Sequence, residues 1–200
     1  TDAELAREKK SMLDGVRQRV APAVVGIVAP SGANPLDRSG EITGSGVVIR
    51  DDGIVVTSAA LVPDGTDPVR VRLPDGTEKP ARVVGSDPAT GLTVVDLDGR
   101  GYTASILALE GDLVSGERSY AVSSRAAIGT ETTTGVVGMT QRYVGPAGAE
   151  LDGVETYQVT VGSGGSGLQT AFLGGGGGSN TATFAITTDL FIVYTSNIFA

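Results

Sequence analysis

The run Gly44-Ser45-Gly46-Val47-Val48-Ile49-Arg50, then Asp51-Asp52-Gly53, then Ile54-Val55-Val56-Thr57-Ser58, decides the fold. Two β-branched stretches flank an Asp-Gly pair. This is a strong hairpin signal, because glycine supplies the positive φ that a tight turn demands. The same grammar repeats downstream as Val69 to Leu73, the turn Pro74-Asp75-Gly76, and Ala81 to Val84. Further strand-like runs follow at Ser119 to Ser123, Thr134 to Thr140, Thr156 to Val161, Leu168 to Leu173 and Thr181 to Ile186. Upstream, Val24 to Val28 predicts a first strand, and the Pro, Gly, Asn and Ser-rich stretch Pro30 to Gly40 predicts a loop. Leu5, Met12, Leu13, Val16 and Val20 fall at helical spacing, so one amphipathic helix is expected, ending before Pro22.

Composition points the same way. Apolar residues make up 40% of the chain, with 30 glycines and only 4% aromatics, which suits a soluble all-β protein of short strands and tight turns. A net charge of -8 argues against generic affinity for nucleic acid or anionic lipid, since both need a basic surface. No apolar run reaches the roughly 18 residues that a spanning helix needs, so direct membrane insertion is not expected. Cysteine is absent, which removes disulfides, thiol catalysis and thiolate metal sites. The chain begins at Thr1, as a segment trimmed of a signal peptide or anchor would, and as a fragment of a cytosolic protein would equally.

The stretch Gly44 to Ile49 followed by Asp52 to Thr57 resembles the first-barrel hairpin of the HtrA family of trypsin-like serine proteases. In that family the hairpin leads into the catalytic histidine three residues after the threonine; here that position is Ala60. Val83-Val84-Gly85-Ser86-Asp87-Pro88-Ala89-Thr90 is similar to the segment that ends in the catalytic aspartate, and the next residue here is Gly91. Thr134 to Val137, Tyr157 to Val159, and Gly177 to Ser179 with Phe184 to Ile186 resemble second-barrel strands, and Asp189 onward resembles the start of a final helix. The resemblance implies an all-β fold of two tandem six-stranded-type antiparallel β-barrels with an N-terminal helix. Residues 1–20 would form the helix, 21–105 the first barrel and 106–200 the second, with helix otherwise only after Thr57 and at the C-terminus.

The nucleophile region departs most from the family pattern Gly-x-Ser-Gly-Gly-Pro. One alignment places the nucleophile at Ser166, because Gly164-x-Ser166-Gly167 fits. The other reads Gly167 to Ala171 as the strand beyond a deleted hairpin, with Gly162 to Gly167 bridging the gap. The second is preferred, since one deletion accounts for the whole region, and Val161 to Asn180 is then expected to be the least ordered part of the chain.

A serine hydroxyl needs a base, and histidine suits that task because its pKa lies near neutrality, yet the chain contains none. Lys9 and Lys10 belong to the predicted helix and Lys79 follows a surface turn, so a lysine base is not favoured. Asp51 with Asp52, Glu110 with Asp112, and Glu150 with Asp152 read as solvated turn residues rather than metal ligands. Gly174 to Gly178 lacks the Lys-Ser or Lys-Thr and helix of a phosphate cradle. No cofactor is expected.

These readings lead to a non-enzyme: a catalytically inactive domain, with degenerate positions Ala60, Gly91 and Ser166, binding a protein or peptide ligand or regulating an active protease relative. The expected compartment is periplasmic or otherwise extracytoplasmic, with anchoring through an N-terminal segment. The alternatives are an HtrA-type serine endopeptidase domain inactivated by engineering, and a structural or sensory domain of a membrane-anchored protein.

Overall fold

The computed structural model describes residues 2–30, 40–87, 90–105, 118–125, 129–144, 150–161, 169–172, 182–186 and 191–195. Helix α1 spans Asp2–Val20, with acidic residues in its first turn and Arg17 and Arg19 in its last, the charge order that complements the helix dipole. Its apolar stripe of Met12, Leu13, Val16 and Val20 faces the protein, and Val16 is fully buried. The 3-10 turn Ala21–Ala23, which contains Pro22, then ends the helix.

Strands β1 (Val24–Pro30), β2 (Glu41–Val48), β3 (Ile54–Ser58), β4 (Val69–Arg72), β5 (Glu78–Asp87) and β6 (Leu92–Asp96) close into an antiparallel barrel in the order β1-β2-β3-β6-β5-β4. Alternation along the strands fills it: Val25, Ile27 and Ala29 of β1 point inward against Val55, Val71 and Val95. A bulge between Val83 and Gly85 interrupts the β5–β6 register and leaves Val84 exposed.

The later strands are β7 (Arg118–Arg125), β8 (Gly129–Val144), β9 (Glu150–Val161), β10 (Gln169–Phe172), β11 (Ala182–Ile186) and β12 (Phe191–Thr195). They close in the order β10-β11-β12-β7-β8-β9, all antiparallel where paired. The seam between the two rings is apolar. Val24 and Val47, opposite one another on β1 and β2, turn outward and pack with Val16 and Val20 of α1 and with Tyr120 and Val122 of β7.

Three local expectations are corrected. The stretch after Thr57 is a tight turn rather than a helix, because Leu61 and Val62 are drawn into the barrel within four residues of the strand end. From Phe191 the chain forms β12 rather than a helix, as the β-branched and aromatic run Phe191-Ile192-Val193-Tyr194-Thr195 favours. Glu150 and Asp152 lie in β9, not in a turn. The glycine runs Gly162 to Gly167 and Gly174 to Ser179, with Ser166, lie outside the described residues, as do Glu110 and Asp112.

In the β4–β5 turn the Thr77 backbone N–H donates to Asp75 Oδ1 at 2.8 Å, and this bond holds the Asp75 carboxyl below the usual carboxylate range. The folded value is the lower one. The turn's contribution to stability is therefore complete above the unfolded carboxyl value of about 3.9 and is lost as pH falls through the folded value. An NMR titration of the Asp75 carboxyl carbon should give a midpoint below 3.9 in that sense, and a midpoint at or above the unfolded-peptide value would refute this.

Candidate functional site

Strand β3 delivers Thr57 and Ser58 to the rim of the first barrel, where the chain turns sharply. The Leu61 and Val62 N–H groups both donate to the Ser58 carbonyl, at 3.1 and 3.0 Å, and the Ala60 N–H donates to Ser58 Oγ at 3.2 Å. Leu61 and Val62 anchor the turn in the core, which leaves Ala60 exposed at its crest. Gly44 makes room for this anchor: a Cβ there would stand 2.6 Å from Leu61 Cδ2, tighter than real contacts allow.

Gly91 precedes β6 and is buried, with φ +70°. Its N–H donates to the Asp87 carbonyl at 2.8 Å, and its own carbonyl accepts the Ala59 N–H at 2.8 Å. The structure thus brings the Ala60 and Gly91 segments together, as neighbouring strand ends joined by a backbone hydrogen bond. Beneath them lies a buried set of hydroxyls. Thr57 Oγ1 donates to the Ser45 carbonyl at 2.9 Å. Thr93, opposite Thr57 in the β3–β6 register, donates to the Val62 carbonyl at 2.6 Å, and its Oγ1 lies 2.9 Å from Ser86 Oγ.

Other candidate residues sit elsewhere. Lys79 Nζ donates to the Tyr102 hydroxyl at 3.0 Å and stands 4.9 Å from the Tyr102 ring centroid, half-buried in β5 opposite the core residue Val71. Lys9 and Lys10 are exposed on α1. Asp52 pairs with Arg50 in the β2–β3 turn. Among the described residues, no three His, Cys, Asp or Glu side chains gather as a metal site would require. Ser45 and Ser124, neither of them a candidate site residue from the sequence, contact one another across the two rings. The sequence signal for Ser45 is a polar residue between glycines in a strand whose neighbours turn inward.

The model of the trypsin-like peptidase domain family matches residues 44–170. A relative from Brucella suis biovar 1 (strain 1330), named "Probable periplasmic serine endoprotease DegP-like", is 33% identical over 157 residues, covering 72% of this chain and 30% of that protein. The serine protease HTRA1B of Danio rerio is 29% identical over 155 residues, 75% of this chain and 32% of that protein. The chain therefore spans about a third of the length of these relatives. Among solved structures, Deg5 superposes with a TM-score of 0.65 at 23% identity, over 92% of this chain and 90% of that one. The HtrA-type protease AlgW with decapeptide gives 0.58 at 21% identity, over 93% and 64%; at such identities the likeness is one of fold.

These findings correct the expectation of a non-enzyme. The relatives are named serine endoproteases, so the class to which the chain points is a protease. The expectation rested on the absence of histidine, on the small residues at positions 60 and 91 and on the altered nucleophile region, and extended them to the whole molecule. Class is carried by the scaffold and by sequence along residues 44–170, whereas the missing histidine bears on which group moves the proton.

Proposed function

The chain belongs to the trypsin-like peptidase family as an HtrA-type domain, and from this premise we propose that it is the peptidase domain of a serine endoprotease working in the periplasm on extended polypeptide segments. The observation that carries the reading is the family match over 44–170, falling on a barrel that brings the Ala60 turn and Gly91 together through a 2.8 Å bond. The proposal takes Ser166 as the nucleophile, and so the alignment through Gly164-x-Ser166-Gly167 in place of the deletion preferred from sequence, because a serine endoprotease needs a serine in this region and the family match extends over it; the substrate lies along a strand edge of the cleft, where backbone hydrogen bonds supply affinity without regard to side-chain sequence. A protein ligand that is not cleaved, including a protease relative, would dock in the same manner. The periplasmic assignment follows the DegP-like relatives.

The proton is the weak point of the chemistry. Ala60 offers no base, so binding and oxyanion stabilisation alone remain, worth about a thousandfold to ten-thousandfold over water in serine proteases stripped of their triad. Because Ala60 is exposed, a small base from solution can reach the place where a histidine ring would sit. Added imidazole should raise hydrolysis of an activated peptide ester in a saturable manner, beyond the increment that imidazole gives without protein, and Ser166→Ala should remove the gain. An equal increment with and without protein would sink the serine endopeptidase reading.

A further inference from the structure

Each barrel closes on its own strands, and among the described residues no backbone ladder runs from one into the other, so side chains join them at their interface. Ser45 makes such a joint. It lies in β2, is buried, and its hydroxyl donates to the Ser124 carbonyl at 3.1 Å while accepting the Ser124 N–H at 2.9 Å, across 79 residues of sequence. One hydroxyl bonding both main-chain groups of a single residue reproduces the paired bonds of two facing residues in an antiparallel ladder. Ser124 belongs to β7, whose register with β12 runs from Ser119 to Val122, so the joint begins just past that ladder. The approach is close. A Cβ on Gly26, which faces Ser45 in the β1–β2 register, would stand 3.3 Å from Ser124 Oγ.

On its other side Ser45 leads to the candidate site, because its carbonyl accepts the Thr57 hydroxyl and Thr57 opens the turn that carries Ala60. A buried hydrogen-bonded path thus runs from the Ser124 main chain through the Ser45 hydroxyl and carbonyl to the Thr57 hydroxyl, and connects the second barrel to that turn. The apolar seam of Val24, Val47, Tyr120 and Val122 holds the rings together, but apolar contact is non-directional and permits sliding. Two hydrogen bonds to one backbone residue do not.

We propose that Ser45 is a positioning residue, whose hydroxyl fixes the second barrel against the strand end bearing position 60 and so sets the geometry of the cleft. Its kinetic consequence rests on the serine endopeptidase reading, while its structural consequence does not. The test compares Ser45→Ala with Ser45→Thr in the full chain. Because the chain has no cysteine, Asp64→Cys and Thr133→Cys add the sole labelling points for an inter-barrel distance by pulsed electron resonance of nitroxides. In Ser45→Ala the distance distribution should broaden and the Ser124 amide should exchange about tenfold faster, with Val55 and Val95 unchanged. Ser45→Thr should stay near the parent in both. In a background carrying Ala60→His and Gly91→Asp, Ser45→Ala should lower kcat by about a hundredfold with KM within about twofold, and Ser45→Thr should restore it. An unchanged distance distribution with unchanged Ser124 exchange overturns the proposal, as does a uniform rise in exchange at Val55, Val95 and Ser124, which marks ordinary loss of stability. A background without turnover counts against the endopeptidase reading alone, since distance and exchange still decide the role of Ser45.

Discussion

Ala60→His combined with Gly91→Asp should raise kcat/KM for an unfolded casein substrate by about a hundredfold to ten-thousandfold, the range that a positioned acid–base pair contributes. The geometry favours this pairing. Position 60 is exposed at the crest of a turn whose base is fixed by Leu61 and Val62, and Ala59 donates to the Gly91 carbonyl at 2.8 Å. Side chains grown from 60 and 91 therefore start from backbones already held together. Gly91 has φ +70°, a left-handed conformation that most side chains avoid but aspartate tolerates better than β-branched or bulky residues. An Asp there is buried, so its charge would sit beside the imidazole, selecting the tautomer and stabilising the imidazolium as the proton arrives. Ala60→His alone should fall well short of the pair, because an unsupported ring samples the wrong tautomer. The gain must also vanish with Ser166→Ala. A folded double variant with no gain, or a gain that survives loss of Ser166, would show that the nucleophile is not where Gly164-x-Ser166-Gly167 places it.

Local chemistry explains which features were readable from the chain. The turns at Asp52-Gly53 and Asp75-Gly76 were legible because glycine at positive φ leaves a mark in the sequence, and both are found at positive φ. The β-rich run Val24 to Val28 likewise announced a strand, and it lies within β1. The strand at Phe191–Thr195 was missed because a resemblance beginning at Asp189 was given more weight than the β propensity of the residues themselves. At the candidate site, Ala60 and Gly91 could be located by their neighbours in sequence, yet their linkage through Ala59 depends on the β3–β6 register, which pairs Ser58 with Leu92. The Ser45–Ser124 contact left a mark at one partner only, the serine between glycines at position 45, and none at Ser124. It joins residues 79 apart through two separate closed rings, so only the packed molecule reveals that one hydroxyl meets both groups of one backbone residue.

Gly53→Ala should destabilise the domain by about 4 kcal/mol or more, while Gly76→Ala, at an equivalent hairpin turn, should cost about 1–2 kcal/mol. Both glycines have positive φ, +99° at Gly53 and +88° at Gly76, so both substitutions carry the conformational penalty of a left-handed residue. They differ in what a methyl group meets. At Gly76 nothing lies within 4 Å, and the strain stands alone. At Gly53 a Cβ would fall 2.0 Å from the Leu97 carbonyl oxygen, a backbone atom that cannot swing aside as a side chain would. Relief requires moving Leu97, whose N–H donates to the Gly53 carbonyl at 2.9 Å and whose side chain is fully buried in the core of the first barrel. The clash is thus coupled to a hydrogen bond and to core packing beyond β6, which is why it should exceed the local penalty. Urea unfolding of the two variants measures the difference. Equal losses would mean that the turn shifts as a unit and that contact with Leu97 does not constrain residue 53.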